Sequence, residues 1–83
     1  MDDEIMHALL CAKNLDLWQE EDGSTREYAH KEFGFSDFVR DLTGPATAAA
    51  EAGLIELRGA RRRWAPTEAG EELLTRTEQE LQR

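Results

Sequence analysis

Cysteine occurs once in the chain, at Cys11, so no disulfide can form within one molecule, and a small buried thiol is the ordinary reading of such a residue. Long apolar runs are missing. None approaches the roughly 20 residues a bilayer span requires, and the start of the chain lacks the basic stretch of a signal peptide. A cytoplasmic protein without membrane contact is expected. There is no Ser/His/Asp set, no glycine-rich phosphate loop and no paired-carboxylate arrangement, and 83 residues leave little room for a cleft. Catalysis is not expected. Basic residues are also scarce: 10 Lys and Arg stand against 18 Asp and Glu, a net charge of −8, whereas nucleic-acid binders are usually basic.

The charge that is present is unevenly placed. Leu57–Ala65 contains Arg58, Arg61, Arg62 and Arg63 and no acid, so this stretch carries +4 and the remainder sums to −12. That asymmetry says more than the total. With 40% hydrophobic residues and both tryptophans in patterned segments, residues 1–83 are expected to fold as one globular domain with a thin core.

Asp2, Asp3 and Glu4 precede apolar residues at Ile5, Met6, Leu9, Leu10, Leu17 and Trp18. The spacing predicts a first helix running to about Gln19. Glu20-Glu21-Asp22-Gly23 reads as a loop. Ser24 or Thr25 can cap a second helix, Ser24 with Glu27 fitting a capping box, and that helix is expected to stop at Gly34 and show Tyr28, Ala29 and Phe33 to the core. Ser36 can cap a third helix over Asp37–Ala52 that buries Phe38, Val39, Leu42, Ala46 and Ala49, kinked or broken at Gly44-Pro45.

Gly53 closes that helix. Residues 54–58 and 61–65 then read as the two strands of a hairpin turning at Gly59-Ala60. In that register Arg58 faces Arg61 and Glu56 faces Arg63, while Ile55, Leu57 and Trp64 share the inward face. Thr67 caps a last helix with Ala69, Leu73, Leu74, Thr77 and Leu81 on one stripe. The expected class is mainly α with a small β-hairpin: three helices, a two-stranded wing and a C-terminal helix.

Ala50-Glu51-Ala52-Gly53-Leu54-Ile55-Glu56, then Arg61-Arg62-Arg63-Trp64-Ala65-Pro66-Thr67-Glu68-Ala69-Gly70 and Leu73-Leu74, resemble winged helix-turn-helix regulators of the MarR, PadR and ArsR kinds. There a recognition helix ends in a similar run, and an arginine-rich wing follows. The resemblance covers about Ala48–Arg83. It implies a winged helix-turn-helix fold, double-stranded DNA as partner, a role in transcription regulation and homodimers formed through the first and last helices. Arg58, Arg61, Arg62 and Arg63 would contact phosphates, and Arg40 and Thr43 would approach the groove. The third helix offers Asp37, Arg40, Asp41 and Thr43 where a reading helix usually offers base-matching side chains. The wing is therefore expected to supply affinity more than specificity. The alternative is a protein-interaction module whose acidic body docks on a basic partner or mimics DNA.

Trp64 and Trp18 read as core, Trp18 also as a dimer contact. His7 and Cys11 are four residues apart, a spacing that can bind metal, but neither His30 nor any other residue supplies a second pair at recognisable spacing. No metal and no cofactor are expected.

Overall fold

The computed structural model describes residues 3–29, 37–59 and 62–81. Its elements run α1 (Asp3–Lys13), β1 (Leu17–Gln19), β2 (Thr25–Ala29), β3 (Asp37–Asp41), α2 (Thr43–Glu51), β4 (Ile55–Arg58), β5 (Arg63–Pro66) and α3 (Glu68–Leu81). The strands form one antiparallel sheet in the order β3-β2-β1-β5-β4. The protein is thus a mixed α/β structure with a five-stranded sheet. The expected mainly α domain with a two-stranded wing is overturned, and with it the winged helix-turn-helix layout of three helices before the hairpin.

The difference lies in residues 14–29 and 37–41; the expected core residue Phe33, helix stop Gly34 and cap Ser36 lie outside the described residues. Helix α1 stops at Lys13 because Leu15 takes a left-handed conformation (φ 68°). Leu15 N–H then bonds to Ala12 O and Asp16 N–H to Cys11 O, the paired closure of a Schellman motif. Leu17–Gln19 continues as a strand. Asp22-Gly23 makes a hairpin turn, with Gly23 at φ 90°, so Thr25–Ala29 pairs back on β1 and does not form a helix. The Ser24 hydroxyl donates to Asp22, at 2.6 Å, and caps no helix. Asp37–Asp41 pairs with β2 through a bulge at Glu27/Tyr28. Phe38 and Val39, expected in the core, are 57% and 46% exposed.

Helix α2 is what remains of the expected third helix. It begins at Thr43, so Gly44 and Pro45 lie in its first turn and break nothing, because a proline there lacks an N–H that would have had no helical partner. Asp41 Oδ1 accepts the Thr43 N–H at 2.9 Å and its hydroxyl at 2.7 Å. The helix closes on Gly53 (φ 76°). The hairpin pairs Leu57 with Trp64 and Arg58 with Arg63, and the expected strands 54–58 and 61–65 become 55–58 and 63–66. This register is two residues away from the expected one. A shift of two leaves every side chain on its own face, so Ile55, Leu57 and Trp64 still share a side, on which Ile55 and Trp64 are buried while Leu57, expected to pack inward, is 38% exposed.

Helices α1 and α2 and Leu74 of α3 cover one face of the sheet. Their core holds Ala8, Leu9, Cys11, Leu17, Leu42, Ala46, Ala49, Leu54, Ile55 and Trp64. The Trp64 indole donates to Thr25 Oγ1 at 3.0 Å inside it. Thr67 caps α3: its hydroxyl oxygen accepts the Gly70 N–H at 3.2 Å while its proton goes to Gly53 O at 2.5 Å. Ala69, expected on the inner stripe, is exposed. No helix among the described residues is long and apolar enough to cross a membrane.

Two turns carry a pH signature. Hydrogen bonds from the backbone N–H and hydroxyl of Thr43 hold the Asp41 carboxyl below its ordinary value of 3.8, and bonds from Ser24 do the same for Asp22. A carboxyl with a depressed folded pKa contributes stability above its unfolded pKa, and that contribution disappears as pH falls through the folded one. The urea midpoint is therefore expected to fall on acidification below about pH 4, and to fall less steeply in Asp22→Asn/Asp41→Asn. Equal slopes for the two proteins would refute this assignment.

Candidate nucleic-acid interface

Cross-strand partners in a sheet point to the same side. The register places Arg58 of β4 opposite Arg63 of β5, Arg63 opposite Trp18 of β1, Trp18 opposite Arg26 of β2, and Arg26 opposite Asp41 of β3. One residue from each strand thus forms a continuous row, and it lies on the face the helices do not cover. Trp18, only 2% exposed, belongs to no part of the helix-side core.

Two of the row's three arginines lie beside rings. The Arg63 guanidinium carbon lies 5.9 Å from the centre of the Trp18 ring. That of Arg26 lies 5.5 Å from the centre of Phe38, whose ring meets Tyr28 edge-on at 6.0 Å. Contacts of this kind, within about 6 Å of the ring centre, attract a guanidinium to the ring face. Arg26 Nε is buried and meets no acceptor. At the other end, Arg58 donates to Glu56 Oε1 at 2.7 Å and to Pro66 O at 3.0 Å, with about half of its side chain in solvent. The surface has acids too: Asp41 closes the row, and Glu20 accepts the Tyr28 hydroxyl at 2.6 Å.

The residues expected to contact nucleic acid separate into groups. Arg58 and Arg63 come together on the open face, and cross-strand repulsion between them replaces the expected Arg58–Arg61 contact. Arg62 is exposed at the hairpin tip (φ 56°), where its guanidinium donates to the Gln19 side chain. Arg61 lies outside the described residues. Arg40 and Thr43 do not join them. Arg40 sits on β3 and donates through Nε to Glu27 at 3.0 Å. The Thr43 hydroxyl is used between Asp41 and the Thr25 N–H. The expected reading helix over 37–52 does not exist; α2 carries no basic residue and exposes Gly44, Thr47 and Glu51.

Trp18, Arg26 and Phe38 are the members of this surface that the sequence pattern did not single out. Their signal was the Asp22-Gly23 pair between Leu17-Trp18 and Thr25, since Asp-Gly is a strong hairpin marker.

A second group lies toward the helical side, where Glu27 of β2 meets α1. His7 Nε2 is 3.4 Å from Glu27 Oε1 and 3.5 Å from Cys11 Sγ. Burial and the Glu27 carboxylate push the Cys11 thiol up to about 12, so it is protonated and poorly reactive at neutral pH.

No family model, no curated protein and no solved structure matches this chain.

Proposed function

We propose that this protein binds nucleic acid, with duplex DNA as its partner, by laying the phosphate backbone along the arginine row and the β4–β5 hairpin. The observation that carries the reading is the alignment of Arg58, Arg63 and Arg26 on one row of one uncovered sheet face, with a ring beside two of the three guanidinium groups. Cations aligned in this way suit phosphate contact. Because α2 carries no basic residue, affinity comes from backbone contacts and specificity is modest. Two copies joined through α1 and α3 would double the phosphate contacts, and Leu10 of α1, 44% exposed, is an apolar group available for that joint.

The test is the salt dependence of binding to a labelled duplex. Neutralising phosphates releases counterions, so log affinity should fall linearly with log salt, by about 0.9 for each phosphate contacted. Arg58→Ala/Arg62→Ala removes two exposed cations and should lower that slope by about 2. Absence of binding at about 50 mM salt, or an unchanged slope in the double variant, would refute the interface.

One observation favours a second reading. Helix α3 exposes Glu68, Glu72 and Glu78, an acidic rod suited to a basic protein. A chain that ignores DNA, binds a lysine-rich peptide and loses it in Glu68→Gln/Glu72→Gln follows this reading.

A further inference from the structure

We propose that His7, Cys11 and Glu27 form a zinc(II) site that fastens α1 to β2. The three residues bring one imidazole nitrogen, one sulfur and one carboxylate oxygen within 4.8 Å of one another. His7 and Cys11 are one turn apart on α1, and the β1–β2 hairpin delivers Glu27 to them, pairing it opposite Leu17.

The two spacings from the His7 nitrogen match a tetrahedral ion, and the sulfur and the carboxylate oxygen lie within 4.8 Å of each other. With bonds of about 2.0–2.1 Å to nitrogen and oxygen and about 2.3 Å to sulfur, tetrahedral angles put nitrogen and oxygen about 3.4 Å apart and nitrogen and sulfur about 3.5 Å apart. The observed separations are 3.4 Å and 3.5 Å. As a direct hydrogen bond, 3.4 Å between nitrogen and oxygen is long.

The donor set selects the ion. A nitrogen, a sulfur and an oxygen donor suit borderline zinc, whereas calcium and magnesium require oxygens throughout. Charge also balances: thiolate and carboxylate together cancel the two positive charges, and the imidazole binds neutral. On coordination the Cys11 sulfur forms the metal bond, and its proton leaves to solvent. Arg40, about half exposed, now donates to the Glu27 oxygen and has room to swing outward when the ion takes its place. Three protein ligands leave a fourth position for water. A surface cleft of about 410 Å³, lined by Glu4, His7, Arg40 and Asp41 among others, opens beside His7.

The site is testable with untagged, reduced, chelator-treated protein. Zinc titration should give one site per chain and raise the melting temperature. Cobalt(II) in its place should show a thiolate-to-cobalt charge-transfer band that Cys11→Ser abolishes. His7→Gln and Glu27→Gln should weaken zinc binding by at least about tenfold, the lower end for loss of even an indirect partner. His7 is only partly buried, so His7→Gln should keep the wild-type circular dichroism, separating loss of a ligand from loss of the fold. Absence of binding by the folded protein, a cobalt spectrum without the thiolate band, or affinity unchanged in His7→Gln would overturn the proposal. None of these measurements depends on nucleic-acid binding.

Discussion

Gly70→Ala is expected to destabilise the protein by about 3 kcal/mol, the upper part of the range for overpacking, although alanine is the better helix former. A β-carbon built at this position of α3 comes within 2.2 Å of the Leu54 carbonyl oxygen and 3.0 Å of Leu9 Cδ1. The leucine methyl can yield; the carbonyl cannot. Leu54 O accepts the Thr67 N–H that starts α3, and Leu54 N–H closes α2 on Ala49 O, both at 3.0 Å. The helix would have to lift away from the hairpin. Alanine's propensity gain is about 1 kcal/mol, too little to offset this. A chain of this length is expected to hold only about 4–12 kcal/mol in total, so urea unfolding should show a large fall in midpoint. Adding Leu9→Ala should not rescue the variant, because the obstructing atom is backbone. A midpoint equal to or above the wild type would show that α3 does not approach Leu54 this closely.

Trp64→Ala should cost about 3–5 kcal/mol, the usual range for emptying an aromatic core position. Trp64 stands on β5, between β1 and β4, and anchors the helix-side core. Two parts of that cost can be separated. Trp64→Phe keeps most of the ring volume but leaves the Thr25 hydroxyl, 2% exposed, without its indole donor; Thr25→Val leaves the indole without its acceptor. Each should cost about 1–3 kcal/mol. The pair together should cost less than the sum, because the second change removes a group the first has already stranded. Strict additivity in the double variant would mean that the hydrogen bond between them contributes nothing.

The C-terminal half was the legible part of the chain. Gly53 as a helix stop, the hairpin, the inward packing of Ile55 and Trp64, and Thr67 as cap all follow from local chemistry, and local chemistry is what a sequence displays. Residues 17–29 and 37–41 were not legible for the same reason inverted. Arg26, Glu27 and Ala29 suit a helix, and Ser24 with Glu27 imitates a capping box. Their structure comes from pairing with β1 and β3, which no local pattern contains. Gly44-Pro45 was misplaced because a proline that starts a helix and one that breaks it look alike until the first residue of the helix is known. The candidate site divides in the same way. The arginines of the hairpin stand out as a run of charge, whereas Trp18 and Arg26 reach them only through the sheet. Glu27 likewise turns an ordinary His–Cys pair into three converging ligands.

The junction of Trp18 with Arg63 also governs how the chain reaches this structure. Among the described residues it is the one registered pair joining β1 to β5, and its members are separated by more than half of the sequence. Neither β-hairpin needs the other in order to form early, but the sheet closes only when this distant contact is made. Closing so large a loop costs entropy before any pairing repays it, so the topology favours slow folding for a chain this small. During synthesis the N-terminal hairpin must wait, with one edge open, until β5 has emerged.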